Sequence, residues 1–447
     1  MINLQSRCHI PSKSTQFFFL CLLGSLLWFS LPQKGWANPF FVGRFNGLLG
    51  GPLDTSPYAL YWNPANLDTP KSHLNLHLGG VSRQALYRRD LPADTNPEIA
   101  AINGGESTTS ALGVVPSLLF QKGWETDQGY RIGFGGGLYV ARAGTADWDR
   151  RPDQDAQYPG AYDGAQRWSA LSTSMALLNW AFGFSAGMGP FSIGVAGNYV
   201  QATLSTTKAS NLDKSDDPFT DGTDGEIKEG RIWLDQAKGD AFHLNAGLRF
   251  DSHPFQAAFA WRQNITYDLI GKAHILSGLA ETVEKAKVPL QVAGNYHLTL
   301  AYFLTKTLRL RGEYEFIEWS IMNQQEIANA KTGVQLMVLD RQFNDIQAYR
   351  IRLDWAYSPT LSFHTGMSYE EAATPIEYHE AGLAENDQIE GGIGVTWAFS
   401  PSFSIHSTFF WQHFMDRKVT QSLQKPETNG FYTDQRQYLL FNFDWTF

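Results

Sequence analysis

The chain has 447 residues, with 35 Lys and Arg against 44 Asp and Glu, for a net charge of −9. That balance excludes a nucleic-acid-binding surface, and the two cysteines, Cys8 and Cys21, both sit in the first 37 residues, which excludes a disulfide-stapled fold. Aromatic residues make up 14% of the chain and glycine numbers 41, a composition suited to many strands and turns.

Residues 1–37 read as a signal peptide. Arg7 and Lys13 give a positive start, Phe17 to Leu31 is apolar, and Gly35 and Ala37 put small residues at the −3 and −1 positions before Asn38. The apolar run is shorter than the ~20 residues a spanning helix needs, so cleavage is favoured over a membrane anchor. Loss of Arg7, Lys13 and Lys34 leaves 32 basic against 44 acidic residues and a charge of −12. Residues 38–71 are rich in Gly and Pro without a sustained period. They carry Phe40, Phe41, Phe45, Leu48, Leu49, Tyr58, Tyr61 and Trp62, too many apolar groups for a free tail. They read as a hatch folded into a barrel lumen, the alternative being a periplasmic extension bound to another protein.

Residues 72–447 resolve into about fourteen alternating runs. The predicted strands are 72–83, 112–122, 129–141, 168–187, 191–206, 239–251 and 254–270, followed by 288–303, 306–319, 346–358, 360–370, 386–399, 402–415 and 434–447. Short Pro- or Gly-bearing connections, such as Met188–Pro190 and Ser400–Ser402, alternate with long polar ones at 84–111, 142–167, 207–238, 271–287, 320–345, 371–385 and 416–433. A soluble sandwich has no reason to gather every long loop at one end. A transmembrane antiparallel β-barrel does: short periplasmic turns, long extracellular loops and an even strand number.

The faces agree. Along 306–319, Leu308, Leu310, Tyr314 and Phe316 alternate with Arg309, Arg311, Glu313 and Glu315. Along 346–358, Tyr349, Ile351, Leu353, Trp355 and Tyr357 alternate with Arg350, Arg352 and Asp354. Along 254–270, Phe255, Phe259, Trp261, Ile265, Tyr267 and Leu269 are expected outside, with Arg262, Asn264 and Asp268 inside. The last eleven residues, "QYLLFNFDWTF", place Leu439, Phe441, Phe443, Trp445 and Phe447 on one face, and lipid is the solvent that suits them.

Here the chain resembles a known family, the FadL-type outer-membrane transporters of long-chain fatty acids and aromatic hydrocarbons. "YWNPANL" is similar to the family's hatch, with Asn63, Pro64 and Ala65 matching. The likeness continues through "FHLNAGLRFDSHPFQAAFAWRQNITYDLIGKA", through "VPLQVAGNYHLTLAYFLTKTLRLRGEYEFIEWS" with its Glu318-Trp319-Ser320 run, and through "TPIEYHEAGLAENDQIEGGIGVTWAFSPSFSIHSTFFW". It departs where the family's hatch has an acidic run, since Asp54 stands alone here. The resemblance implies passive transport of a hydrophobic small molecule across a bacterial outer membrane, gated by the hatch, with sideways exit where a strand is kinked. Gly133, Gly135, Gly136 and Gly137 are the candidate kink, with close hatch packing as the other reading. Arg309, Arg311, Arg350 and Arg352 are candidates either for a ligand carboxylate or for a bracing ladder with the nearby acids. Trp445 and Phe447 form the terminus that such proteins present to the barrel assembly machinery.

No cofactor, metal or nucleic acid is implied, and a monomer in contact with outer-membrane lipid and lipopolysaccharide is expected. The acidic loops "NLDKSDDPFTDGTDGE" and "TADWDRRPDQD" read as solvated, and the first lacks EF-hand spacing. A porin for polar solutes is the alternative function. A lipid hydrolase is the enzyme alternative, disfavoured because His406 and Ser407 are adjacent and so point to opposite faces of a strand.

Overall fold

The structure is a computed structural model and describes residues 46–151, 163–211, 213–219, 228–277, 280–383 and 385–447. The leader assigned to residues 1–37 and the start of the 38–71 segment lie outside the described residues.

Period-two alternation and short turns produce one closed antiparallel sheet. Its strands are β1 Ser72–Arg89, β2 Gly105–Glu125, β3 Tyr130–Asp147, β4 Ser172–Met188, β5 Phe191–Ser210 and β6 Gly230–Ser252. The next four are each interrupted once: β7 (Phe255–Arg262 and Ile265–Ser277), β8 (Ala280–Val292 and Asn295–Phe303), β9 (Leu308–Ile317 and Gln324–Asn329) and β10 (Gln335–Asp340 and Ile346–Ala356). β11 Leu361–Glu370, β12 Gln388–Ser400, β13 Phe403–Val419 and β14 Gly430–Thr446 complete fourteen. β14 pairs with β1 from Thr446 opposite His73 to Gly430 opposite Arg89, and the Phe447 N–H donates to the Ser72 carbonyl at 3.0 Å. Closure removes the unpaired edges that hydrocarbon cannot satisfy.

The strands run well past the ~10 residues a crossing requires; β2 has 21 residues and β6 has 23. Two segments expected as long connections are therefore sheet. Ile265–Ser277 pairs with Ala280–Val292 as far as Ser277 opposite Ala280, and Gln324–Asn329 pairs with Gln335–Asp340. One irregular connection, residues 371–383 with 385–387, packs inside the long-loop end, where Ala373 and His379 are fully buried.

The interruptions invert the faces. Below them, Phe182, Phe184, Ile193, Phe242, Tyr296 and Trp355 stand exposed on the outer wall, while Arg311, Glu313, Arg350 and Asp354 are buried inside. Above them the interior is apolar, with Met175, Val200, Leu234, Tyr267, Leu269 and Leu290 in one buried cluster. Tyr267 and Leu269, expected on the lipid face, thus point inward, and Asp268, expected inside, pairs outside with Lys287 at 2.8 Å. The cause is the break at Gln263–Asn264, which resets the period by lying outside the ladder.

Candidate functional site

The described part of the N-terminal segment lies inside the barrel. Helix α1 Ala59–Trp62 is followed by a 3₁₀ turn, Pro64–Asp68, and every residue of both is buried. Asn63 links them: its Oδ1 accepts the Ala65 N–H at 3.0 Å, while its Nδ2 donates to the carbonyls of Pro52 at 3.1 Å and Leu248 at 3.0 Å. Pro64 occupies the first position of the turn, where a backbone N–H would have no partner. The wall meets this turn with glycines. A Cβ on Gly194 would overlap Pro64 and Ala65, one on Gly247 would overlap the Asn63 amide, and one on Gly133 would overlap the Leu67 carbonyl.

Two carboxylates pin the segment. Asp68, fully buried, receives Arg131 Nε at 3.0 Å, Arg249 at 2.9 Å and the Ser192 hydroxyl at 2.6 Å. Asp54 meets Arg311 at 2.7 Å and Arg352 at 3.5 Å. Burial would raise the Asp54 carboxyl, but the charges of Arg311 and Arg352 outweigh it and hold the group below its ordinary 3.8.

The four candidate arginines are all ion-paired. Arg309, Arg311 and Arg352 converge on Asp354 at 2.9, 2.7 and 2.7 Å, and His364 Nδ1 lies 2.7 Å from the same carboxylate. Arg350 is bound by Glu315, with Glu313 at 3.7 Å. Their geometry is that of a ladder along β9 and β10, joined by Asp54 to the inner segment.

The four glycines of β3 do two different things. Gly133 and Gly135 face inward against Leu67, whereas Gly136 lies among the rings of Phe120 and Phe182 on the outer face. Gly137 has φ 154° and its Cβ position would overlap the Leu118 carbonyl. Three residues later β3 bulges against β4, between Val140 and Arg142. There the wall changes. The β2–β3 ladder runs from Glu125 opposite Arg131 to Ser117 opposite Tyr139 and then stops; beyond it a single bridge joins Thr109 and Trp148. Over the same stretch β2 stays paired with β1, and β3 with β4. Arg142 sits buried at the lower end of this gap, with its guanidinium 4.9 Å from the Trp319 ring.

Comparison with known proteins agrees with this architecture. Residues 53–444 match the family model described as outer membrane protein transport protein (OMPP1/FadL/TodX). The chain belongs to this family. Among solved structures it is similar to a Pseudomonas aeruginosa FadL homologue, with a TM-score of 0.73 and 14% identity over 92% of this chain and 99% of that one. It is also similar to the Ralstonia pickettii toluene transporter TbuX (TM-score 0.62, 15% identity, 90% and 100% covered). A third is the P. putida toluene transporter TodX (TM-score 0.65, 14% identity, 88% and 95% covered). No curated protein sequence matches. Such identities carry the fold alone. Membership in this outer-membrane transport family makes the barrel one that spans an outer membrane, with the short turns and Phe447 at one end and the long loops at the other.

For a member of the OMPP1/FadL/TodX family, sequence reading missed the residues that hold the inner segment. Asp68, Arg131 and Arg249 carried no motif; the available sign was an acid closing the apolar run "YWNPANLD". Trp445 and Phe447 stand exposed on the outer face at the short-turn rim, where the Trp445 ring lies 5.2 Å from the Phe403 ring. His406 has both ring nitrogens engaged by threonine hydroxyls, Thr396 at 2.6 Å and Thr408 at 2.9 Å. The acidic loop residues Asp213 and Asp216 pair with Lys228 at 2.8 Å and Arg89 at 2.9 Å.

Proposed function

We propose that this chain admits hydrophobic small molecules from outside through the apolar upper chamber. Residues 38–71 then act as a hatch that blocks polar solutes, and the ligand leaves sideways between β2 and β3. One observation carries the reading. The lumen is filled by a segment pinned at Asp54 and Asp68, while the wall beside it lacks its ladder between Ser117 and Thr109. A straight polar channel explains neither. An apolar solute loses nothing by crossing an unladdered stretch lined by Leu112 and Val114, both exposed to lipid. The process needs no energy source, because partitioning into the membrane drives it. Export by a cleaved leader, recognition of Phe447 by the barrel assembly machinery and a monomeric state in lipopolysaccharide belong to the same reading. The fatty acids or aromatic hydrocarbons carried by relatives are both candidate ligands.

The test is uptake of labelled oleate and toluene, with lactose as the polar control, in cells lacking their own transporter. Entry of an apolar solute without lactose supports the reading; lactose entry alone supports a porin. Sideways exit is tested by joining Leu112→Cys to Thr145→Cys with a bifunctional thiol reagent across the gap. Apolar uptake should fall at least tenfold, and an unchanged rate would exclude that route.

A further inference from the structure

On the outer wall toward the long loops, β6, β7 and β8 carry their outward charges in cross-strand rungs. Lys238 lies opposite Ile270, which lies opposite Lys287; Asp235 lies opposite Lys272, which lies opposite Lys285. Two successive rungs thus hold four exposed lysines and one acid. The outward acids of these three strands are engaged. Asp268 holds Lys287 at 2.8 Å, Asp235 and Glu281 flank His274 at 3.1 and 2.8 Å, and Asp240 accepts from the Tyr199 hydroxyl. Among the described residues, Lys238, Lys272 and Lys285 form no ion pair. Lys272 and Lys285 face each other directly, and like charges so placed destabilise a sheet. An anion seated between them removes that repulsion. Toward the short turns the same wall becomes apolar, and Tyr199, Phe242 and Leu244 stand exposed there.

We infer that these two rungs hold a phosphate group of lipopolysaccharide, with its acyl chains against Tyr199, Phe242 and Leu244. The inference rests on the transport reading, which puts the long loops outside and so this wall in the outer leaflet, and it gives the lipid contact named there a place. Valence argues for phosphate. Lys238, Lys272 and Lys285 are three cationic donors, and a phosphate monoester offers three acceptor oxygens where a carboxylate offers two. Placement argues for a lipid over a soluble anion. The lysines sit where the exposed apolar wall ends, so an amphiphile satisfies both surfaces at once, whereas free phosphate leaves the wall uncovered. Each lysine beside an anionic lipid surface contributes about fivefold in affinity, so loss of two should be plain to see.

The experiment is native mass spectrometry of the purified protein in a nonionic detergent. It is titrated with lipid A (the phosphorylated, acylated disaccharide of lipopolysaccharide), with dephosphorylated lipid A and with phosphatidylglycerol. The wild type should bind lipid A at least tenfold more tightly than either of the others. Lys272→Gln with Lys285→Gln should bring the three affinities within threefold, and Lys272→Arg with Lys285→Arg should keep the preference. Lys306→Gln, on an exposed lysine at the short-turn end, should bind as the wild type does. Retention of the compact, heat-shifted band on a gel certifies each variant as folded. Equal binding of lipid A and its dephosphorylated form, phosphatidylglycerol bound as tightly as lipid A, or a preference that survives the double glutamine variant overturns the assignment. Orientation is read separately, by labelling Val334→Cys in the exposed β9–β10 turn of intact cells with a membrane-impermeant maleimide. Labelling without a lipid A preference overturns the site and leaves the orientation standing. No labelling overturns the orientation, and the assignment to the outer leaflet with it.

Discussion

Asp68, fully buried, holds the buried Arg249 and the partly exposed Arg131, so the carboxylate and its two cations stand or fall together. Removing one partner from such a group leaves buried charge uncompensated, at a cost of about 3–5 kcal/mol. Asp68→Asn should therefore free the inner segment while the barrel, closed by its own ladder, stays folded. The expected result is lactose leak into cells with an unchanged heat-shifted band; an impermeable variant would show that Asp68 does not anchor the segment. Asp54 is the second anchor, and its depressed carboxyl sets the sign of its pH dependence. A group whose folded value lies below 3.8 stabilises fully above that value and loses its contribution only as pH falls through the folded one. Lactose exclusion should be flat from pH 7 to pH 5. The lone acid of "GGPLDTSPY" was visible in the sequence; that Arg311 and Arg352 would reach it was not, because the pairing spans 257 positions in the chain.

At the scale of elements, the glycines of β3, β5 and β6 divide the wall into a part shaped by the inner segment and a part shaped by the break. Gly133→Val forces a side chain into the Leu67 carbonyl, so the 3₁₀ turn must move and polar leak should rise. Gly312→Ala, where nothing lies within 4 Å, should change stability by no more than about 0.5 kcal/mol. Equal behaviour of the two in the leak assay would dissociate the glycines from hatch packing. The glycine run was legible in sequence, yet its two roles were not, since only the register separates an inward Gly133 from a kinked Gly137. The 371–387 segment gives an opposed pair of titrations. Burial, with the Arg417 charge, pushes His379 down to about 3; burial, with the Glu370 charge, pushes Glu385 up to about 7 against a lowering from Arg436. The docked segment therefore loses stability as pH falls below 6.5 through His379. It gains stability between about 7 and 4.5 as Glu385 takes up its proton. Hydrogen exchange of 371–387 should be nearly level from pH 6.5 to 4.5 in the wild type. His379→Phe should make protection rise on acidification, and Glu385→Gln should make it fall; level profiles in both variants would refute the balance.

At the scale of the whole molecule, the barrel is written for two solvents. At the short-turn end its outside is apolar and its inside is charged; toward the long loops the order reverses, at interruptions in four successive strands, β7 to β10. Strand count, turn placement and closure at Phe447 were readable because period two and turn chemistry are local. The reversal was not, because "RQNITYDL" keeps a plausible alternation whichever face it is given, and only the break at Gln263–Asn264 decides. An apolar interior facing water is unfavourable, and a hydrophobic solute that fills it removes that penalty, which makes the chamber itself testable. Leu269→Glu places a carboxylate in this apolar cluster, where burial opposes ionisation and an apolar solute no longer meets a continuous apolar surface. Toluene uptake at pH 7 should drop about tenfold, then recover in part at pH 5 as the new carboxyl takes a proton. Val283→Glu, on the exposed outer face at the same end, puts the same charge where water already reaches and should stay within twofold of the wild type. If both substitutions slow uptake alike, charge near the rim is what matters; if neither does, the solute enters by a path that avoids the chamber.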